Sequence, residues 1–417
     1  MNLPATPNDV WPQRWDVFCQ VIDNYGDLGV CWRLCADLAG RGHQIRLWVD
    51  DPGALSWMAP GAIEGDVANV RVLPWDAASK QEDLAGSDIG HIWVEAFGCN
   101  IPEAFVEHWA GRVNTSSSGL KPPCWINLEY LSAEDYVERS HGLPSPVMHG
   151  PARGWLKHFY YPGFTSSTGG LIREPGLGNR QNAFDRDAWL AGMGIHASQE
   201  TLISLFCYEP PALKEWLDEL SRAPHKTRML VTAGRATQWV LTCLKNWTPT
   251  QPSISSATPL TDLIFDSPVQ TGNLTLGSLT FTFLPQLTQL DFDRLLWSCD
   301  LNLVRGEDSL VRAIWAGKPF VWQIYEQSDM AHADKLIAFL QTTQADDDLI
   351  DHHLWWNSID EQVSQPVKPM QAVDIVSKAS GEHWMTWATT LGQRLSEQED
   401  LVSALQRFTA SMRSQKQ

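Results

Sequence analysis

Apolar and polar positions alternate along the chain in two recurring periods, and their order predicts the architecture. Trp15–Val21 (WDVFCQV) is a short apolar run that reads as a buried strand. It ends in IDNYGDLGV, after which VCWRLCADLAGRG repeats apolar residues at helical spacing and stops at glycine. His43–Val49 (HQIRLWV) is a second strand, completing a β-α-β unit of the kind that builds parallel sheets. Further strands are predicted at Val70–Leu73, Ile89–Glu95, Cys124–Leu128 and Val147–Met148. Residues 160–190 are rich in Gly, Ser, Thr and Pro, lack a period, and read as a linker or flexible loop. Strand–helix alternation then resumes: LISLFCYE, helix ALKEWLDELSRA, TRMLVTAG, LTFTFLPQ, helix FDRLLWSC, DLNLV, helix RGEDSLVRAIWAG stopped at Gly317, and PFVWQIY. A long helical pattern occupies the chain from about His383 onward.

The pattern therefore gives an α/β chain in two halves, with no short internal repeat. A length of 417 residues supports the division, because a single core rarely grows past ~250–300 residues. Domains are expected at 1–170 and 188–384, with a helix over about 385–417 crossing back onto the first. This is the layout of the GT-B glycosyltransferases, two Rossmann-like lobes facing each other across a cleft.

Composition narrows the function classes. A net charge of −18 argues against a general nucleic-acid binder, which needs a basic face for phosphates. A local basic pocket for one anionic ligand remains compatible with it. The first twenty residues lack the pattern of a signal peptide, and no run of ~18 apolar residues suggests a membrane span. The eight cysteines are scattered without a CxxC pair, which favours reduced, buried thiols and a cytoplasmic location.

Four segments carry candidate chemistry. The first is Asp23-Asn24-Tyr25-Gly26-Asp27-Leu28-Gly29-Val30, at the carboxyl end of the first strand, where open α/β sheets bind ligands. Its glycines permit tight turns, and it places two carboxylates in one loop. A capping role for Asp27 and a turn-shaping role for Asp23 explain the same residues without function. The second is Arg305-Gly306-Glu307-Asp308-Ser309, which follows a strand and opens a helix. A helix start attracts phosphate through free N–H groups and its dipole, and Arg305 adds a charge-assisted fork for a diphosphate. Acidic and hydroxyl residues there are also ordinary caps. The third is FLPQ, Phe283–Gln286, where an aromatic ring and an amide suit a nucleobase, although a core phenylalanine is the simpler reading. The fourth is QIYEQSDMAHADKL, Gln323–Leu336, which reads as surface helix chemistry. GxGxxG, HExxH and GxSxG patterns are all missing, which sets aside nicotinamide-dependent, zinc-peptidase and α/β-hydrolase chemistry.

IDNYGDLGVCWRLCADLA, INLEYLSAEDYVE, HFYYPGFTSSTGGLIRE, SLFCYE and RGEDSLVRAIWAGKPFVWQIYEQSDMAHADKL together resemble the EarP family, the arginine rhamnosyltransferases of translation elongation factor P. The resemblance runs over nearly the whole chain. It implies a GT-B fold, dTDP-β-L-rhamnose as donor, an arginine of elongation factor P as acceptor, inversion at the anomeric carbon, and no metal or other cofactor. Carried over by position, Asp23 resembles the family's general base and Asp27 its second N-terminal aspartate. Glu307 matches the essential glutamate, and Arg305, Gly306, Asp308 and Ser309 match its donor-contacting neighbours. Asn24, Tyr25 and Gly26 fall on the donor-binding side of the first motif, and Tyr208 resembles a diphosphate-contacting tyrosine. Phe283, Gln286 and Phe292 match the thymine-holding region. FLPQLTQLDFD is a few residues longer than the family pattern, which leaves Gln286 and Gln289 as alternative base readers. Two other readings compete: a GT-B enzyme for another nucleotide sugar or acceptor, and a non-catalytic binder of either partner.

Overall fold

The computed structural model describes residues 12–22, 25–84, 88–115, 119–197, 199–245, 272–359, 371–379 and 381–415. Contacts divide the chain into two units, one of Met1–Pro175 with Gln398–Gln417 and one of Gly176–Glu397.

The first unit is built on seven strands: β1 (Arg14–Cys19), β2 (Gln44–Val49), β3 (Val70–Pro74), β4 (Ile92–Ala96), β5 (Cys124–Leu128), β6 (Pro144–Pro146) and β7 (Leu156–Tyr160). Their order is β3-β2-β1-β4-β5-β7-β6, parallel except for β6 against β7. Side chains alternate across a sheet buried on both faces. Trp15, Val17 and Cys19 enter one core beside helix Gly26–Gly40, while Phe18 enters the opposite core with Trp93 and Phe105. The strand expected at Val147–Met148 does not form. The hairpin runs through β6 and β7 instead, and the Val147 amide donates to the Trp155 carbonyl beyond their ends.

The second unit contains β8 (Thr201–Leu205), β9 (Thr227–Val231), β10 (Gly272–Leu276), β11 (Leu279–Phe283), β12 (Leu301–Arg305) and β13 (Phe320–Gln323). Their order is β10-β11-β9-β8-β12-β13, with β10 alone antiparallel. Ile203, Leu205, Met229 and Val231 face one core; Leu202 and Leu230 face the other.

Two boundaries differ from the sequence pattern. The stretch 160–190 holds the division between the units, at Pro175 and Gly176, but it is no irregular loop: it contributes helices Leu177–Asn182 and Arg186–Gly192. Its paired glycines serve close packing. A Cβ on Gly169 would strike the Tyr160 ring, and one on Gly170, whose φ is +73°, would strike the Glu399 carbonyl oxygen. The C-terminal pattern is two helices rather than one. Glu382–Ser396 stays with the second unit, and only Leu401–Gln415 packs on the first.

That last helix is held in two ways. Leu401, Val402 and Leu405 bury their side chains in the first unit's core, each contributing about 1.5–3 kcal/mol of burial. The Arg41 guanidinium donates from Nε to Asp37 Oδ1 at 2.7 Å, from Nη2 to Asp400 Oδ1 at 2.8 Å and from Nη1 to Ser403 Oγ at 2.6 Å. Apolar burial supplies the attraction, and the fork fixes the register.

Candidate active site

In an open α/β sheet, the loops leaving two neighbouring strands toward opposite faces leave a crevice at their carboxyl ends. The strand orders place such a switch point between β1 and β4 in the first unit and between β8 and β12 in the second.

At the first switch point, Asp23 and Asn24 lie outside the described residues. Tyr25 precedes helix Gly26–Gly40, its carbonyl accepts from the Gly29 amide at 2.9 Å, and its ring meets Trp57 edge-on at 5.0 Å. Gly26 and Gly29 are helical residues, so neither supplies the tight turn suggested by the sequence. Asp27 is 4% exposed, and its Oδ2 accepts the Ile22 amide at 2.9 Å. That bond spans the loop from the strand side to the helix side and fixes where residues 22 and 27 stand.

Residues after β4 and β5 complete this edge, and the sequence reading gave them no role. Phe97 and Asn100 hold φ of +56° and +54°, a left-handed backbone that costs non-glycine residues on the order of 1–3 kcal/mol. Phe97 stacks on Tyr130 with ring centroids 4.6 Å apart. Glu129 lies between Leu128 and Tyr130 and accepts from Asn127 Nδ2 at 2.6 Å. Burial raises its carboxyl pKa against the lowering effect of that bond. INLEYLSAEDYVE carried the family resemblance, yet its polar and aromatic side chains show no period that singles them out.

At the second switch point, the sequence folds around Arg305. Its backbone is extended, and Gly306 then turns with φ of +67°, which glycine adopts without steric cost. The Gly306 carbonyl accepts from Trp322 Nε1 at 2.9 Å. Arg305 is 4% exposed, and its guanidinium carbon lies 4.5 Å from the Phe206 ring centroid and 4.6 Å from that of Tyr208. Its Nη1 donates to the Cys207 carbonyl at 3.0 Å. Both rings come from the residues leaving β8, so the cation sits where the β8 and β12 loops diverge.

The surrounding side chains fix this centre. The Tyr208 amide donates to Gln323 Oε1 at 2.8 Å, and Arg235 lies 4.8 Å from the Tyr208 ring. Arg235 also forks onto Glu209, with Nε to Oε1 at 2.8 Å, and this bond holds the Glu209 carboxyl below its ordinary pKa. Glu307 accepts from Lys335 Nζ at 2.6 Å, each side chain about one-fifth exposed. Asp308 is half-buried in the first turn of the same helix. Ser309 has a different place from the donor contact expected of it. It is 3% exposed, and its hydroxyl accepts from the Arg305 amide at 3.1 Å and donates to the Arg305 carbonyl. Ser309 thus holds Arg305 in position.

The base-reading segment divides. Phe283 is 1% exposed in the core beside Phe281, so its ring has no free face for a base. Phe292 is half-buried and meets Phe206 edge-on at 5.2 Å, which joins it to the aromatic wall under Arg305. Gln286 is exposed after β11; Gln289 is half-buried at the start of helix Gln289–Ser298. Sequence reasoning gave no site role to Phe206 and Arg235, and it read Gln323 only as the start of a surface segment. Phe206 and Gln323 lie at or just past strand ends of the same edge, and placing the strands in order is the signal that finds them.

Among the described residues no group of three or more His, Cys, Asp or Glu side chains is placed to hold a metal. All eight cysteines are buried free thiols, and burial pushes the Cys35 thiol well up and that of Cys243 to about 11. No helix of the described residues is long and apolar enough to cross a membrane.

Comparison with known proteins turns this geometry into a class. The chain is a glycosyltransferase of the GT-B type, built on two Rossmann-like domains. It belongs to the EarP family, described as elongation factor P (EF-P) rhamnosyltransferases, whose model matches residues 15–410. A protein-arginine rhamnosyltransferase of Pseudomonas putida is 40% identical over 94% of this chain and 98% of its own length. Its namesake in Pseudomonas aeruginosa is 40% identical over 78% of this chain and 81% of its own length. A solved structure that describes EarP-mediated arginine glycosylation of translation elongation factor EF-P aligns with 96% of this chain and 99% of its own. Its sequence identity is 29% and its TM-score 0.57.

Proposed function

We propose that this enzyme transfers L-rhamnose from dTDP-β-L-rhamnose to an arginine side chain of translation elongation factor P, in the cytoplasm and with inversion at the anomeric carbon. Kinship with the protein-arginine rhamnosyltransferases supports the reaction. The observation that carries the donor assignment is Arg305, a buried cation stacked on Phe206 and Tyr208 at the second sheet's switch point.

The acceptor is difficult chemistry. An arginine guanidinium is protonated at neutral pH, and its lone pairs are delocalised. A carboxylate suits both needs of the reaction: it holds the group by forked hydrogen bonds and takes its proton. Asp23 is the proposed base. Asp27, by bonding the Ile22 amide, positions the loop that carries it. A guanidinium nitrogen attacks the anomeric carbon of the rhamnosyl group, and the bond from that carbon to the diphosphate oxygen breaks. The electron pair leaves on dTDP, and the guanidinium proton passes to Asp23. No metal takes part in this reading.

The leaving diphosphate gains negative charge as its bond breaks, and a fixed cation aimed at that charge lowers the barrier. Arg305 fills this role, with the N–H groups at the start of helix Gly306–Ala316. Tyr208 contacts the diphosphate, while Phe292 and either Gln286 or Gln289 hold the thymine. Glu307, tethered to Lys335, orients the donor. The first unit takes the acceptor, with Asn24, Tyr25 and Gly26 meeting the donor, and the second holds the donor's nucleotide.

Incubation of the protein with elongation factor P and dTDP-β-L-rhamnose, followed by mass spectrometry, tests the reading. The expected product is elongation factor P carrying one deoxyhexose on one arginine. Unmodified factor beside a dTDP-binding enzyme would point to another sugar or acceptor, and binding of both partners without turnover would make the chain a binder.

A further inference from the structure

The first sheet is also hollowed at the edge opposite to the one that carries Asp27. At the amino ends of β1, β4 and β5 the chain forms a cavity of about 320 Å³, at the lower limit of small-molecule pockets at ~300–1,000 Å³. Its frame is tied strand to strand. The Arg14 amide donates to His91 Nδ1 at 3.1 Å, the His91 amide to the Arg14 carbonyl at 2.8 Å, and the Cys124 amide to the His91 carbonyl at 3.0 Å.

Four cationic side chains line it: Arg14 from β1, Arg112 from the last turn of helix Glu103–Val113, Lys121 from the approach to β5, and Arg413 from helix Leu401–Gln415. Asp88, paired with Arg14, is the one carboxylate among the lining residues. In a chain of net charge −18 such a cluster makes a local positive field that favours an anion. Burial lowers the His91 pKa, and Arg413 and Arg14 lower it further against the opposing effect of Asp88 and Asp16. Arg14 Nε is sealed from solvent and has no hydrogen-bond partner among the described residues. Ile89, Leu120 and the Pro122–Pro123 pair add an apolar part to the lining.

We propose that this cavity binds a small molecule bearing a phosphoanhydride, with the phosphates among the arginines and Lys121 and an organic group against the apolar part of the lining. A concave site of this volume with four cations in its lining suits a diphosphate or triphosphate better than an extended acidic chain. Guanidinium groups match phosphate oxygens in paired, planar hydrogen bonds. The site lies at the sheet edge away from Asp27 and is independent of the donor assignment, so it stands or falls apart from the proposed reaction.

The test is calorimetric titration of the intact protein with inorganic pyrophosphate and with ADP, with no dTDP present, since dTDP is itself a nucleoside diphosphate and would compete for the cavity. Both probes should bind saturably, ADP the tighter, and binding should weaken as salt rises. Lys121→Glu with Arg413→Glu should weaken both by about tenfold or more, whereas Arg305→Ala should leave them unchanged. All three variants are checked by thermal melting. The His91 imidazole, followed by NMR, should titrate at higher pH when pyrophosphate is bound, because the anion offsets the surrounding cations. Absence of saturable binding at millimolar probe, or binding lost with Arg305→Ala and kept in the double variant, would overturn the proposal. Equal affinity for pyrophosphate and ADP would remove the role given to the apolar part of the lining. A preference for a polyglutamate peptide over both probes would make the cavity a polypeptide contact instead.

Discussion

The two switch points share a topology and differ in how they hold their charged groups. In the first, a buried carboxylate is satisfied by its own loop: Asp27 accepts an amide five residues earlier. In the second, a buried guanidinium is satisfied by residues distant in sequence: the rings of Phe206 and Tyr208 and the carbonyl of Cys207. The acidic edge is a local motif, so IDNYGDLGV is readable as a unit. The basic edge is assembled by the sheet, and only half of it, RGEDS, is visible in one stretch of sequence. An acid can be placed by a loop, whereas a flat, wide guanidinium needs walls.

This difference predicts that the second edge depends more on packing at a distance. Arg312 forks onto Asp293 at 2.8 and 2.6 Å, both buried, and joins helix Gly306–Ala316 to helix Gln289–Ser298. Arg312→Met should cost about 3–5 kcal/mol in chemical denaturation, because the buried Asp293 carboxylate loses its paired donor. A loss under ~1 kcal/mol would show that the helix carrying Glu307 needs no such brace.

Acid offers a second probe of packing in the second unit. His353 is fully buried beneath β13, accepts the Trp322 amide at Nε2, and has its pKa lowered to about 4 by burial. The unfolded chain therefore binds a proton near pH 6.5 that the fold refuses until about pH 4. Stability falls as pH drops through that window, by at most about 3 kcal/mol from this residue. Denaturation midpoints from pH 7 to 4 should fall less steeply for His353→Gln than for the unaltered protein, and identical slopes would break the assignment.

Glu307 sharpens the comparison by testing function beside structure. Glu307→Gln should melt normally within ~1 kcal/mol and lose more than ~100-fold in single-turnover transfer, equivalent to ~2.7 kcal/mol of transition-state stabilisation. Lys335→Met should lower transfer in the same direction, since it releases the carboxylate that Lys335 holds. Normal turnover in Glu307→Gln would reduce Glu307 to a first-turn acid. The smallest effect belongs to Gly306, whose φ of +67° makes Gly306→Ala cost about 1–2 kcal/mol of stability. A neutral result in thermal melting would mean that the Arg305 turn is not strained by a side chain.

Much of the fold was legible because buried strands are continuous apolar runs. Cys124–Leu128 agrees to the residue, and β1, β2, β9 and β12 agree within a few positions. Where composition imitated a loop, the reading failed. Gly169 and Gly170 looked like flexibility, but they let backbone pass close to Tyr160 and Glu399. The strand Gly272–Leu276 was passed over because a polar, glycine-started edge strand has a weak pattern. In the site, Arg305, Tyr208 and Phe292 are brought together, Phe283 goes to the core, and Ser309 turns back to the Arg305 backbone. Sequence spacing cannot separate such neighbours, because which of them faces the crevice depends on strand register.

The central claim is that the base and the contacts to the donor's diphosphate belong to different domains. The direct measurement is calorimetric titration of dTDP into Asp23→Asn, with transfer to elongation factor P assayed on the same sample. The account predicts that transfer is abolished while dTDP affinity stays within about threefold of the unaltered enzyme. Loss of dTDP binding as complete as that of Arg305→Ala would contradict it.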